Sequence, residues 1–272
     1  MLKDVTLGQY FPGNSAVHRL DPRTKLLGLV MFIVALFMAD NWLGFLLAAA
    51  FLVTVIGISK IPLKSVTKGL KPILFIMIFT GILNLFYTEG THVIFRVWRI
   101  TVTWEGVDRA VFMIVRIMLL IVGSFMLTYT TSPISLTDGL ERLLSPLKKI
   151  RFPAHELSMM MCIALRFIPT LIEETDKIMS AQKARGADFE SGSILRRAKA
   201  MVPILVPLFI SAFRRADELA TAMECRCYHG DVGRTKMKVL KFKGIDYAAL
   251  DICVILIAGV VGLNLVPFHF FG

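Results

Sequence analysis

The chain runs to 272 residues, 56% of them hydrophobic, with a mean hydropathy of +0.67 and a net charge of +11. That length would suit one or two soluble domains, but several apolar stretches of membrane-spanning length exclude a soluble reading. The positive charge comes without the motifs of RNA or DNA binders, so no nucleic-acid partner is expected; the basic residues instead report topology and contact with the lipid bilayer.

Residues 1–20 are irregular, broken by Gly8, Pro12 and Gly13, and carry no cleavable signal peptide. Asp21 as N-cap and Pro22 at the first helical position then start a helix whose apolar run covers 26–38. A second span follows at 42–58, after a link (39–41) without a basic residue. Lys60, Lys64, Lys68 and Lys71 fill the next link, and a third span covers 72–87. Between 88 and 105, Val93, Phe95, Val97, Ile100, Val102 and Trp104 alternate with polar residues, which predicts a small extended hairpin outside the membrane. A fourth apolar run covers 107–129 and the last covers 247 to about 267. With the N-terminus in the cytoplasm every link obeys the positive-inside rule, and the region 132–244 lies inside. The expected division is therefore 1–131 with four spans, 132–244 as a cytoplasmic region, and 245–272 as a fifth span.

The inner region is unusual. Residues 135–150 read as a short amphipathic helix with Leu136, Leu140, Leu143, Leu144 and Leu147 on one face and a capping box at Ser135 and Asp138. Pro153 opens a longer helical pattern reaching Ala184, and 193–224 forms another. Each is apolar in its first half and charged in its second, where a soluble helix is two-sided around its circumference. Such helices are expected to lie with one end against membrane protein and the other reaching into the cytoplasm. Pro169, Pro203 and Pro207 allow kinks between the halves.

No catalytic constellation is visible. The glycine pattern 230–235 lacks the spacing and the lysine of a phosphate loop, and His155-Glu156 lacks the second histidine of a zinc helix. The four cysteines show no disulfide spacing. Cys225, Cys227 and His229 are soft ligands without the second pair that a structural metal site needs, so no metal and no enzymatic activity are expected. Arg116 and Arg166 stand in apolar surroundings, where interhelical pairing or snorkelling is the expected role. Met159, Met160 and Met161 fit either core filling or a surface accepting several partners. The basic run 234–243 suits contact with anionic lipid.

Two helical patterns end alike. Residues 176–186, closing on Lys183-Ala184-Arg185-Gly186, align without gaps with 217–227, closing on Glu224-Cys225-Arg226-Cys227. Dipole stabilisation of a C-terminal cation explains one arginine, but not the same arginine in the same small-residue frame twice. Small neighbours let a guanidinium project into a partner's groove and pair with carboxylates in a bidentate geometry. Two such knobs point to two similar grooves, as on a pseudo-symmetric pair of partners.

These residues, with Arg19-Leu20-Asp21-Pro22-Arg23-Thr24-Lys25 and Arg215-Ala216-Asp217-Glu218-Leu219, resemble the transmembrane T component of energy-coupling factor (ECF) transporters over essentially the whole chain. The family motif is Ala-Arg followed by Gly or Ser; Ala184-Arg185-Gly186 is complete, whereas Cys225-Arg226-Cys227 departs on both flanks. The resemblance implies an all-α protein of about five transmembrane helices with cytoplasmic coupling helices, multi-pass in a prokaryotic cell membrane. It further implies two ABC-type ATPase subunits carrying the ATP and Mg, which dock on Arg185 and Arg226, and a substrate-binding membrane S component. The S component would be gripped by Met159, Met160, Met161, Val202, Leu205 and Phe209 for uptake of a vitamin or similar micronutrient. A version dedicated to cobalt or nickel is the alternative. A self-sufficient secondary transporter would need mid-membrane acidic residues and a repeat of spans, and neither is visible.

Overall fold

In a computed structural model the described residues are 10–87, 93–97, 100–150, 152–189, 193–230 and 240–265. The expectations for residues 1–9, for the basic run 234–239 and for the C-terminal end beyond 265 lie outside them. Backbone contacts divide the described chain into two compact units, one of residues 10–140 with 240–265 and one of residues 141–230. The boundary falls inside a helix, α7 (Pro133–Leu144).

The first unit is built of α1 (Ala16–Arg19), α2 (Pro22–Met38), α3 (Trp42–Ser59), α4 (Leu63–Leu70), α5 (Leu74–Tyr87), α6 (Trp104–Thr130) and α10 (Gly244–Asn264). Asp21 caps α2 as expected, its carboxylate accepting the Arg23 amide at 3.0 Å. The lysine-rich link is itself helical. Val66 of α4 is buried, and a 3-10 turn at Lys71–Ile73 joins α4 to α5, so helix replaces the expected link. Between α5 and α6, strands β1 (Val93–Val97) and β2 (Ile100–Thr103) pair antiparallel as the predicted hairpin. Thr103 then caps α6 by accepting the Gly106 amide.

The core of this unit gathers α2, α3, α6 and α10 around Phe32, Leu36, Phe45, Leu119, Tyr129 and Val260. Gly123 of α6 makes the approach to α2 possible: a Cβ there would stand 2.8 Å from the Phe32 ring. Helices α2 and α10 run parallel and are joined at both ends. At their starts the buried Asp246 accepts the Asp21 amide at 2.8 Å and the Lys243 amide at 2.7 Å. At their finishes Asn264 binds the Met38 carbonyl and the Asp40 amide, and Asn41 donates to the Leu263 carbonyl.

Large apolar side chains such as Phe75 and Leu46 stay exposed on this unit, as a bilayer-facing surface requires. Five helical stretches among the described residues are long and apolar enough to cross a membrane: Trp42–Ser59, Leu63–Leu85, Trp104–Thr130, Ala154–Ala184 and Gly244–Asn264. The protein is thus an all-α integral membrane protein. Helix α2, expected as a span, is 17 residues long and is not one of the five, whereas α8 (Ala154–Ala184) is.

Among the described residues Arg116 of α6 pairs with no carboxylate. Its Nη2 donates to the Ala39 carbonyl at 2.9 Å, and its guanidinium stands 5.2–5.7 Å from the rings of Phe37, Phe45 and Phe112. The arginine thus has the expected interhelical role, closing the end of α2.

Candidate functional site

The second unit is dominated by two 31-residue helices, α8 (Ala154–Ala184) and α9 (Ile194–Glu224). The expected amphipathic helix at 135–150 differs from the prediction. Helix α7 starts at Pro133 with Ser132, not Ser135, as the capping hydroxyl, and gives way at Ser145–Ile150 to a 3-10 turn containing Pro146. Both long helices continue through their internal prolines, Pro169 in α8 and Pro203 and Pro207 in α9. Buried His155, at the start of α8, meets Glu141 at 3.1 Å.

The repeated endings prove to be one backbone device used twice. After α8 the Gly186 amide returns to the Lys183 carbonyl and the Ala187 amide to that of Gln182, both at 3.0 Å. After α9 the Cys227 amide returns to Glu224 at 2.8 Å and the Tyr228 amide to Met223 at 3.1 Å. This pair of bonds is the Schellman closure, and it requires a left-handed residue just after the C-cap. Gly186 (φ +86°) and Cys227 (φ +56°) fill that position, so Arg185 and Arg226 are both C-caps. The residue after each arginine is therefore selected by backbone conformation as well as by size. Gly186 meets the requirement without strain and Cys227 does not.

Ala184, Arg185, Gly186, Cys225, Arg226 and Cys227 are all exposed. Of the two arginines, Arg226 also lines a concavity shared with α8. His229 turns its Nδ1 to the Cys227 carbonyl at 2.9 Å, and among the described residues no three His, Cys, Asp or Glu side chains converge as metal ligands.

Helices α8 and α9 pack antiparallel. Arg215 Nη2 donates to Glu174 Oε2 at 3.2 Å near the middle of the pair. On one side of that point Ile163, Arg166 and Phe167 of α8 line a concavity of about 370 Å³ with Glu218, Met223 and Arg226 of α9. The apolar half of α8 thus runs beside the charged half of α9. Each end of the pair therefore combines an apolar half of one helix with a charged half of the other. Arg226 shares its surroundings with Arg166 and Arg215, which the spacing of residues along the chain gave no way to see.

The pairing also separates the two apolar patches. Met160, Val202, Leu205 and Phe209 are exposed, and Met159 and Met161 are half-buried. Met159–161 belong to the α8 end that lies beside Arg226. Val202, Leu205 and Phe209 belong to the opposite end of the pair, so one partner touching both patches must straddle the crossing.

The model of the CbiQ family, described as cobalt transport protein, matches residues 13–238. Curated relatives extend the likeness to nearly the full length. The energy-coupling factor transporter transmembrane protein EcfT of Ruminiclostridium cellulolyticum is 52% identical over 268 residues, covering 98% of this chain and all of the relative. The protein of the same name from Clostridium kluyveri is 54% identical over 250 residues (92% and 93% covered). That from Bacillus subtilis is 47% identical over 258 residues (95% and 97% covered).

Proposed function

Because the chain belongs to the EcfT group of the CbiQ family, the transmembrane components of ECF transporters, we propose that α8 and α9 are its coupling helices and that Arg185 and Arg226 dock on two ABC-type ATPase subunits. The observation that carries this reading is the identical Schellman closure, with an exposed arginine as C-cap, at opposite ends of one antiparallel pair. A lever with the same knob at each end suits two partners of similar shape facing each other.

In this reading the chain hydrolyses nothing itself; ATP and Mg belong to the ATPase subunits. Their closure on nucleotide moves the two helix ends, and the apolar flanks at Met159–161 and at Val202, Leu205 and Phe209 pass the motion to a membrane S component. That component holds the substrate, a vitamin or similar micronutrient. The N-terminus lies in the cytoplasm of a prokaryotic cell, which matches the lysines of α4 to the inner surface. Parallel α2 and α10 then both run outward.

The description of the CbiQ family as cobalt transport protein favours a second version, a transporter dedicated to cobalt or nickel. Purification in mild detergent, with identification of the co-purifying chains, tests both. Two ATPases with varied S components support a shared module, and one fixed metal-type partner supports the dedicated form. A chain that purifies alone and transports without ATP contradicts both.

A further inference from the structure

The first unit holds a groove of about 340 Å³ that the coupling role does not use. Its walls come from the first halves of α2 and α10 and the last halves of α3 and α6, so it occupies one leaflet's depth. Leu29, Phe51, Val55, Met126 and Ile252 make it almost wholly apolar. Volumes of about 300 Å³ and upward are those of small-molecule sites, and the lining side chains Ile58 and Ile252 are themselves exposed.

One end of the groove is cationic. Lys25 lies in the opening turn of α2, ahead of the apolar run, and lines the groove. Its Nζ donates to the Thr130 carbonyl at 2.8 Å and to the His18 carbonyl at 3.3 Å, leaving its third N–H without a partner among the described residues. Burial pushes this ammonium down to about 8, against the opposing pull of Asp21 and Asp246. Both carboxylates are engaged elsewhere, Asp21 by Arg23 and Asp246 by two backbone amides. Thr24, also on the wall, is 2% exposed, and its hydroxyl oxygen has no hydrogen-bond partner among the described residues. Around the mouth, exposed Arg19, Lys60 and Lys243 each stand within two residues of a lining side chain, Leu20, Ile58 and Ile245. Nearly every element that lines the groove thus places a basic residue at the same end.

We infer that this groove binds an anionic phospholipid, with an acyl chain between α2, α3, α6 and α10 and its phosphate on Lys25. The apolar walls accept the chain. A half-dehydrated ammonium with a spare donor accepts the phosphate, and the ring of basic residues selects negative charge over a zwitterionic headgroup.

The test is native mass spectrometry of the purified protein with its co-purifying subunits, exchanged against phosphatidylglycerol and phosphatidylcholine of the same chain length. Phosphatidylglycerol is expected to be retained over phosphatidylcholine by about five-fold, what one basic residue contributes near an anionic surface. Replacing Arg19, Lys60 and Lys243 together by Gln is expected to remove that preference, whereas Lys25→Gln, which loses the phosphate contact common to both lipids, is expected to reduce retention of both. Gly28→Leu fills the groove where a Cβ meets only the Cys253 sulfur at 3.6 Å, and it is expected to reduce retention of both lipids without loss of the complex. Equal retention of the two lipids, or retention of phosphatidylglycerol unaffected by Lys25→Gln and Gly28→Leu, overturns the assignment. So does cross-linking of Val55→Cys to a partner subunit, which would make the groove a protein interface.

Discussion

Arg215 reaches across to Glu174 at 3.2 Å, and the two residues, 41 apart, each stand two residues before one copy of the repeated frame. The ion pair stands near the middle of the pairing of α8 with α9. Eleven residues separate Glu174 from Arg185, and eleven separate Arg215 from Arg226. At about 1.5 Å per residue, each arginine stands about 16 Å along its helix from that point, in opposite directions.

The ion pair itself contributes little to stability. The Arg215 and Glu174 side chains are 38% and 24% exposed, so solvent screens their attraction. A double-mutant cycle of Glu174→Gln and Arg215→Gln, read by thermal unfolding of the purified protein, is expected to give a coupling of about 0.2–1 kcal/mol. A coupling of several kcal/mol would mean that the crossing is held by a desolvated pair and not by packing.

The two closures are predicted to respond oppositely to substitution after the arginine. Gly186→Ala places a Cβ at φ +86° and is expected to cost about 1 kcal/mol, whereas Cys227→Gly relieves a comparable strain and raises the unfolding temperature. Local proteolysis at the ends of α8 and α9 reads both effects. If Cys227→Gly lowers protection, the sulfur has a role that backbone conformation does not explain.

The joint between α2 and α10 rests on Asp246, 1% exposed, which satisfies two backbone donors. Asp246→Ala leaves the buried Asp21 amide without an acceptor and the half-buried Lys243 amide open to water, and is expected to destabilise by about 1–3 kcal/mol. Asp246→Asn keeps one carbonyl oxygen and is expected to cost less. Equal unfolding temperatures for wild type and both variants would show that water replaces the carboxylate.

Arg116 closes the end of α2 with a planar cation among three rings. Lysine keeps the charge but not the flat face, so Arg116→Lys is expected to destabilise by about 1–2 kcal/mol. A lysine variant as stable as wild type would reduce the site to simple charge placement.

The spans and the repeated frame were legible because they are local patterns: apolar runs for the spans, and Gly186 after Arg185 as the usual sign of a left-handed closure. Cys227 hid the second closure, since a cysteine does not announce positive φ. The helix α4 was legible in principle, with Leu63, Val66, Thr67 and Leu70 at helical spacing, but the four lysines around them read more strongly as a link. What no local pattern carries is the antiparallel pairing. That Ile163 and Met223 line one concavity, and that Glu174 meets Arg215, depends on how two segments cross. The joint of Asp21 to Asp246 likewise links residues 225 apart, though an acidic residue in the first turn of α10 hinted at a cap.

The central claim is that both helix ends transmit force to ATPase subunits. It is tested most directly by ATP-driven uptake in membrane vesicles carrying the whole complex, with Arg185→Glu and Arg226→Glu combined. The account predicts that the double variant inserts and keeps its helices, that the ATPase subunits no longer co-purify, and that uptake falls to background. Uptake at the wild-type rate by that variant would contradict it.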